Sequence, residues 1–259
     1  MRPIGFFDSG LGGISVLRET VRLLPHEDYL YYGDSLNAPY GVRPVSEVQQ
    51  LCGAAVERLV SRGAKALVIA CNTATSAAIA MLREAYPELP VIGTEPAVKP
   101  AVERHPGGRI LVMATAMTLK EQKFLALREQ YGAQAEIIPV PCSGLMEFVE
   151  QGILRGGEVE QYLFDKLEPY MKVPVDAIVL GCTHYPFLTG AIRRVVGRSP
   201  EIFDSSHGVA QQLERQLSER GLLGGGQTPG RVEFENSLDE PEILELSRRL
   251  FDYRDGEEF

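Results

Sequence analysis

Two cysteines in this chain each end an apolar run and are followed at once by polar side chains. Cys71 stands in ALVIACNT (66–73) and Cys182 in AIVLGCTH (177–184), two stretches that align with each other. A thiol where a strand turns into a helix meets free backbone N–H groups and the positive end of the helix dipole, which favour the thiolate. Pro186, just after the second cysteine, suits the first turn of such a helix. Thiolates serve as nucleophiles, metal ligands or general bases. Free cysteine is also among the most buried residue types, but matched thiols in matched segments argue against two chance core residues.

Other motifs present hydrogen-bonding groups at strand ends. FDSGLGG (7–13) stands where phosphate-binding turns occur, but the overlapping GLGGIS (10–15) has Ser15 where the last glycine of GxGxxG belongs, and Asp8 would repel a phosphate. Asp8 suits a substrate ammonium instead, or it and Ser9 cap the following helix. YYGDSLNAPYGVR (31–43) reads as a polar loop with a Pro-Gly turn. ATAMT (114–118) presents Thr115 and Thr118, whose hydroxyls can hold a carboxylate or, at Thr118, cap a helix. In EFVEQG (147–152) the spacing by itself puts both Glu147 and Glu150 on a solvated helix end. A metal site from Asp8, Cys71, Cys182 and His184 would lack the short ligand spacing of common zinc sites. The lysines, at 65, 99, 120, 123, 166 and 172, fall outside these motifs, which disfavours a pyridoxal Schiff base.

These residues need a scaffold of βα units. Strand-like runs at 3–7, 28–32, 65–70 and 90–94 recur at 109–114, 135–140, 176–181 and 200–204. Amphipathic stretches such as 46–63 and 157–172 separate them, with apolar residues at spacings of three and four. The repeat predicts two similar α/β domains with mainly parallel sheets, related by a pseudo-twofold axis, with the active site in the cleft between them. Expected boundaries are 1–97 plus 208–259 for the first domain and 98–207 for the second. A tail of helix (209–220), Gly-rich turn (221–230), strand (231–236) and helix (240–251) is expected to pack on the first half. Ligand sites in such sheets lie at the C-terminal strand ends, where both cysteines fall.

The 259 residues carry a net charge of −9, with 35 acidic against 26 basic side chains, which disfavours a nucleic-acid partner. No apolar run approaches the ~18 residues of a membrane span. The four cysteines lie far apart with no CxxC, consistent with reduced thiols in the cytoplasm.

In this order and spacing, FDSGLGG, YYGD…PYG, ACNTAT, GTEPA (93–97), ATxxT and GCTHYP resemble the glutamate racemases. These form the cofactor-independent branch of the aspartate/glutamate racemase superfamily. The resemblance implies two α/β domains, no metal or organic cofactor, and glutamate as the small-molecule partner, for peptidoglycan synthesis; a homodimer is compatible with it. It implies that Cys71 and Cys182 are the acid/base thiols, acting on D- and L-glutamate respectively. Asp8 and His184 become their supporting groups, with Glu150 a third. Substrate contacts fall on Asp8, Ser9, Tyr40, Gly41, Asn72, Thr73, Thr115, Thr118, Thr183 and His184. Ala97 stands where many members have glycine, and the tail (232–243) matches poorly.

Overall fold

Short runs of Val, Ile, Leu, Phe and Tyr without polar alternation make strands buried on both faces, which is the mark of parallel sheets covered by helices. The computed structural model describes residues 2–254. In chain order the first elements are β1 (Ile4–Asp8), α1 (Ile14–Leu23), β2 (Tyr29–Gly33), α2 (Val45–Ser61), β3 (Ala66–Ile69), α3 (Asn72–Ala85) and β4 (Val91–Gly93). Next come α4 (Val98–Arg104), β5 (Arg109–Ala114), α5 (Ala116–Lys120), α6 (Gln122–Tyr131), β6 (Glu136–Pro141), α7 (Leu145–Glu150) and α8 (Gly157–Leu167). The chain then forms β7 (Ala177–Leu180), α9 (Thr189–Val196), β8 (Glu201–Asp204), α10 (Ser206–Glu219), β9 (Val232–Asn236) and α11 (Pro241–Asp252).

One sheet has the order β4-β3-β1-β2-β9 and the other β6-β5-β7-β8. Every pairing is parallel. If β5 to β8 are matched with β1 to β4, the strand order is the same in both, so the repeat read from the sequence is a repeat of topology. The tail strand β9 adds a fifth strand to the first sheet, beside β2. The chain divides into two compact units: one holds the described residues through Thr94 together with Ser206–Asp252, the other Glu95–Ser205 with Tyr253 and Arg254, so the last two described residues group with the second unit rather than with the first as expected. Positions 255–259, the end of the span expected for the first domain, lie outside the described residues.

Each unit has its own core. In the first, Phe7, Leu67 and Ile69 pack against Val48, Val56 and Leu59 of α2 and Ala78 and Leu82 of α3. In the second, Ile110, Val112 and Val179 pack against Val98 and Val102 of α4 and Phe124 of α6. The helix expected over 157–172 stops at Leu167 and continues as a 3-10 turn, Glu168–Tyr170. Pro169 has no N–H to carry the α-helical ladder onward. Among the described residues no helix is long and apolar enough to cross a membrane.

Candidate active site

In the first unit the candidate residues gather where β1 and its neighbour β3 end. Cys71 is the N-cap of α3, and its Sγ accepts from the Ala74 N–H at 3.4 Å. Ser9 Oγ lies 3.3 Å from the same sulfur. The thiol therefore sits where a helix terminus offers donors to a negative sulfur. Asp8 is fully buried, and its Oδ1 accepts from the Gly10 N–H at 2.8 Å. The helix after this turn starts only at Ile14, with Gly13 as an N-cap that makes no side-chain bond, so neither Asp8 nor Ser9 caps it. Asp8 instead folds tightly onto its own turn.

Asn72 follows Cys71 and is buried, yet neither its Nδ2 nor its Oδ1 has a hydrogen-bond partner among the described residues. An unsatisfied buried amide costs about 1–3 kcal/mol, and a ligand that supplies the missing bonds recovers that cost. Thr73 is buried beside it. On the adjoining loop, Tyr40 is buried and its hydroxyl donates to Asp34 Oδ2 at 2.6 Å, while Asn37 Nδ2 donates to both oxygens of the same carboxylate. Gly41 is half-buried in the short 3-10 turn Tyr40–Val42. Burial and the bond to Asp34 push the Tyr40 phenol far above its usual range.

In the second unit the thiol has a different neighbour. Pro186 cannot supply an N–H to the Cys182 carbonyl, so the chain forms a 3-10 turn, Tyr185–Leu188, and α9 begins only at Thr189. The helix expected to start next to Cys182 is therefore displaced, and His184 folds back toward the sulfur. His184 Nδ1 is 3.6 Å from Cys182 Sγ, and its Nε2 is 2.6 Å from Glu150 Oε1. Burial alone would lower the imidazole pKa. The bonds to Cys182 and Glu150, with their negative charge, outweigh burial and hold His184 well above the usual histidine value. As imidazolium it donates Nδ1–H to the sulfur and Nε2–H to the carboxylate.

Glu150 departs from the solvated position that spacing alone suggested, whereas Glu147 is exposed as expected. At about 100° per residue, Glu147 points opposite the buried Leu145–Val149 face of α7 and Glu150 flanks it. The helix is fixed at its start by Gly144 at φ 95°, a left-handed conformation that favours glycine. Tyr162 Oη donates to the Ser143 carbonyl and Tyr185 Oη to the Cys142 carbonyl, so the turn ahead of α7 is held from two sides. Gly181 lets the Cys182 segment lie against β5, since a Cβ there would meet the Ala114 Cβ at 2.9 Å. Thr183 is buried. Thr115, rather than Thr118, caps α5: its Oγ1 accepts from the Thr118 N–H at 3.2 Å and lies 3.0 Å from the Thr118 hydroxyl.

The geometry thus groups Asp8, Ser9, Cys71, Asn72 and Thr73 in one unit, and Glu150, Cys182, Thr183 and His184 in the other. Asp34 was missed by the sequence reading. The sequence offers only an acidic residue directly after an apolar strand; its bond to Tyr40 follows from no local pattern.

The structure thus holds a strand-end thiol beside an imidazole–carboxylate pair and a second thiol after the equivalent strand of a repeated α/β unit, groups whose chemistry allows them to take up and release protons. Residues 8–213 match the family model for Asp/Glu/Hydantoin racemases. The chain belongs to that family of isomerases. It is 51% identical over 250 residues to the glutamate racemase of Clostridium acetobutylicum, covering 96% of this chain and 97% of that one. Among solved structures it is similar to a glutamate racemase isoform from Bacillus anthracis, with a TM-score of 0.84, 32% identity, and coverage of 97% of this chain and 94% of that one. It is likewise similar to the Escherichia coli glutamate racemase in complex with L-glutamate and the activator UDP-MurNAc-ala, with a TM-score of 0.85, 27% identity and 96% coverage of each chain.

Proposed function

We propose that this protein is a glutamate racemase that interconverts L- and D-glutamate with two thiol bases, Cys71 and Cys182. The observation that carries the reading is the equivalence of the two cysteines, one after β3 and one after β7, strands of the same rank in sheets of the same order. Inversion at Cα needs a proton taken from one face and another delivered to the opposite face, and two groups do this directly. With D-glutamate bound, the Cys71 thiolate takes the Cα proton: the C–H bond breaks, an S–H bond forms, and the electron pair spreads into the carboxylate. The Cys182 thiol then gives its proton to the opposite face and is left as thiolate. L-glutamate runs the same steps with the thiols exchanged.

A thiol has an ordinary pKa near 8.5, so both protonation states are reachable near neutrality. His184 as imidazolium favours the Cys182 thiolate, and Glu150 keeps the ring charged and oriented. Asp8 and Ser9 serve the Cys71 side and the substrate ammonium. The Cα proton is a far weaker acid than a thiol, so donors around the substrate carboxylate must supply the difference. Ser9, Asn72, Thr73 and Thr183, with helix N-terminal N–H groups, take that role, donors of this kind being worth about 3–4 kcal/mol each, while Gly41, Thr115 and Thr118 hold the substrate in place. The Tyr40 hydroxyl is engaged with Asp34, so Tyr40 acts through its backbone and by shaping the loop. The D-glutamate formed would serve peptidoglycan synthesis in the cytoplasm.

The test is a racemisation assay with no added cofactor and with a metal chelator present. The expected result is turnover of both glutamate enantiomers with kcat/KM at least about tenfold above aspartate, a difference of ~1.4 kcal/mol. Comparable turnover of aspartate would reassign the substrate, and loss of activity that zinc restores would remove the metal-free mechanism.

A further inference from the structure

The tail after α10 lies wholly beyond the residues 8–213 that match the family model. Its strand β9 runs parallel to β2, with Asn236 beside Gly33. Just past this point the tail bonds repeatedly to the loop that follows β2. Asn236 Nδ2 donates to Ser35 Oγ at 2.9 Å, and Ser237 Oγ accepts from the Leu36 N–H at 2.9 Å. The Ser237 N–H donates to the Gly33 carbonyl at 2.9 Å, and Asn236 Oδ1 accepts from the Leu238 N–H, which fixes the amide that reaches Ser35.

This loop leads directly into the candidate site. Between the bonds from Asn236 and Ser237 stands Asp34, whose N–H donates to the Asp8 carbonyl and whose carboxylate accepts from Tyr40. Gly33 is pinned as well: a Cβ there would lie 2.5 Å from the Gly10 carbonyl oxygen and 2.9 Å from Asn236 Nδ2. The same Gly10 carbonyl accepts from Tyr31 Oη, and the Tyr31 ring packs on Phe234 of β9 at 5.9 Å. Tail residues therefore brace both the Asp8–Gly10 turn and the loop carrying Tyr40 and Gly41.

We infer that Asn236 and Ser237 are positioning residues for substrate binding. They hold residues 33–37 so that Asp34 can orient Tyr40 and Gly41. The inference rests on the glutamate racemase reading and deepens it. Loosening this loop should weaken capture of glutamate, while the Asp8–Gly10 turn beside Cys71 keeps its hold through Tyr31 and Phe234. Its signature is a rise in KM at nearly constant kcat.

The experiment compares wild type with the double variant Asn236→Ala/Ser237→Ala and with Asn236→Asp and Ser237→Thr. Asp at 236 can still accept from Leu238 and from the Ser35 hydroxyl, and Thr at 237 keeps its Oγ. The double variant should raise KM for glutamate about tenfold with kcat within about threefold, and each conservative variant should stay near wild type. Hydrogen exchange on the same proteins should show faster exchange confined to 33–41. An unchanged KM, a parallel loss of kcat, or exchange raised throughout the first unit would overturn the inference. If wild type fails to racemise glutamate, the functional reading fails by itself, and the exchange result still decides whether the tail holds the loop.

Discussion

At the scale of single residues, the second thiol stands at the end of a chain of three side chains, Cys182–His184–Glu150. Removing the negative charge of Glu150 should let burial assert itself on the imidazole. The substitution Glu150→Gln is expected to lower the His184 pKa from its raised value, as read by NMR of the ring nitrogens, and to reduce kcat by about 10- to 100-fold. An unshifted His184 would show that Glu150 does not hold its charge. The sign for stability follows from the same direction of shift. A histidine whose folded pKa lies above its unfolded value of about 6.5 stabilises fully below that value, and the contribution is lost as pH rises through the folded pKa. Both thiols and His184 were legible in the sequence, because strand-end cysteines followed by polar residues break the habit of core strands. The physical role of Glu150 was not legible from spacing: its partner is 34 positions away, and the choice between Glu147 and Glu150 depends on the rotation of α7. The orphaned amide of Asn72 and the clamp of Asp34 on Tyr40 likewise depend on contacts that no local pattern encodes.

At the scale of elements, glycine at a few close approaches sets where the site residues point. Gly13 has ordinary helical φ and ψ, so its constraint is space rather than conformation. A Cβ there would sit 2.8 Å from the Ala70 Cβ and 2.8 Å from the Asp8 Cβ, atoms attached directly to the backbone that cannot swing aside. Gly13→Ala should therefore push β1, α1 and the segment before Cys71 apart. The expected cost is about 1–3 kcal/mol in urea unfolding, together with a fall in kcat from displaced Asp8 and Cys71. Wild-type stability with wild-type activity would contradict this. The strands were legible almost residue by residue, since strands buried on both faces read as unbroken apolar runs. The start of α9 was not, because one proline after Cys182 converts an expected α-helical turn into a 3-10 turn.

At the scale of the whole molecule, the chain is one βα pattern used twice, with a tail that completes the first sheet. The aligned runs around Cys71 and Cys182 made the duplication readable, and the identical strand order in the two sheets is its structural form. The bracing of the 33–37 loop by β9 was invisible in the sequence, since parallel pairing of β2 with β9 joins segments about 200 positions apart. Two thiol bases, each serving one face of Cα, are distinguished from a single base by following the Cα hydrogen in deuterium oxide. D-glutamate and L-glutamate are each incubated with wild type, and label is measured at early times in both product and residual substrate. Two distinct bases predict deuterium at Cα of the product from the first turnovers while residual substrate stays almost unlabelled, provided thiol exchange with solvent is slow within a turnover. The same assay on Cys182→Ala should show no racemised product. Protium carried intact from substrate to product, or product formed at a near wild-type rate without Cys182, would contradict the account.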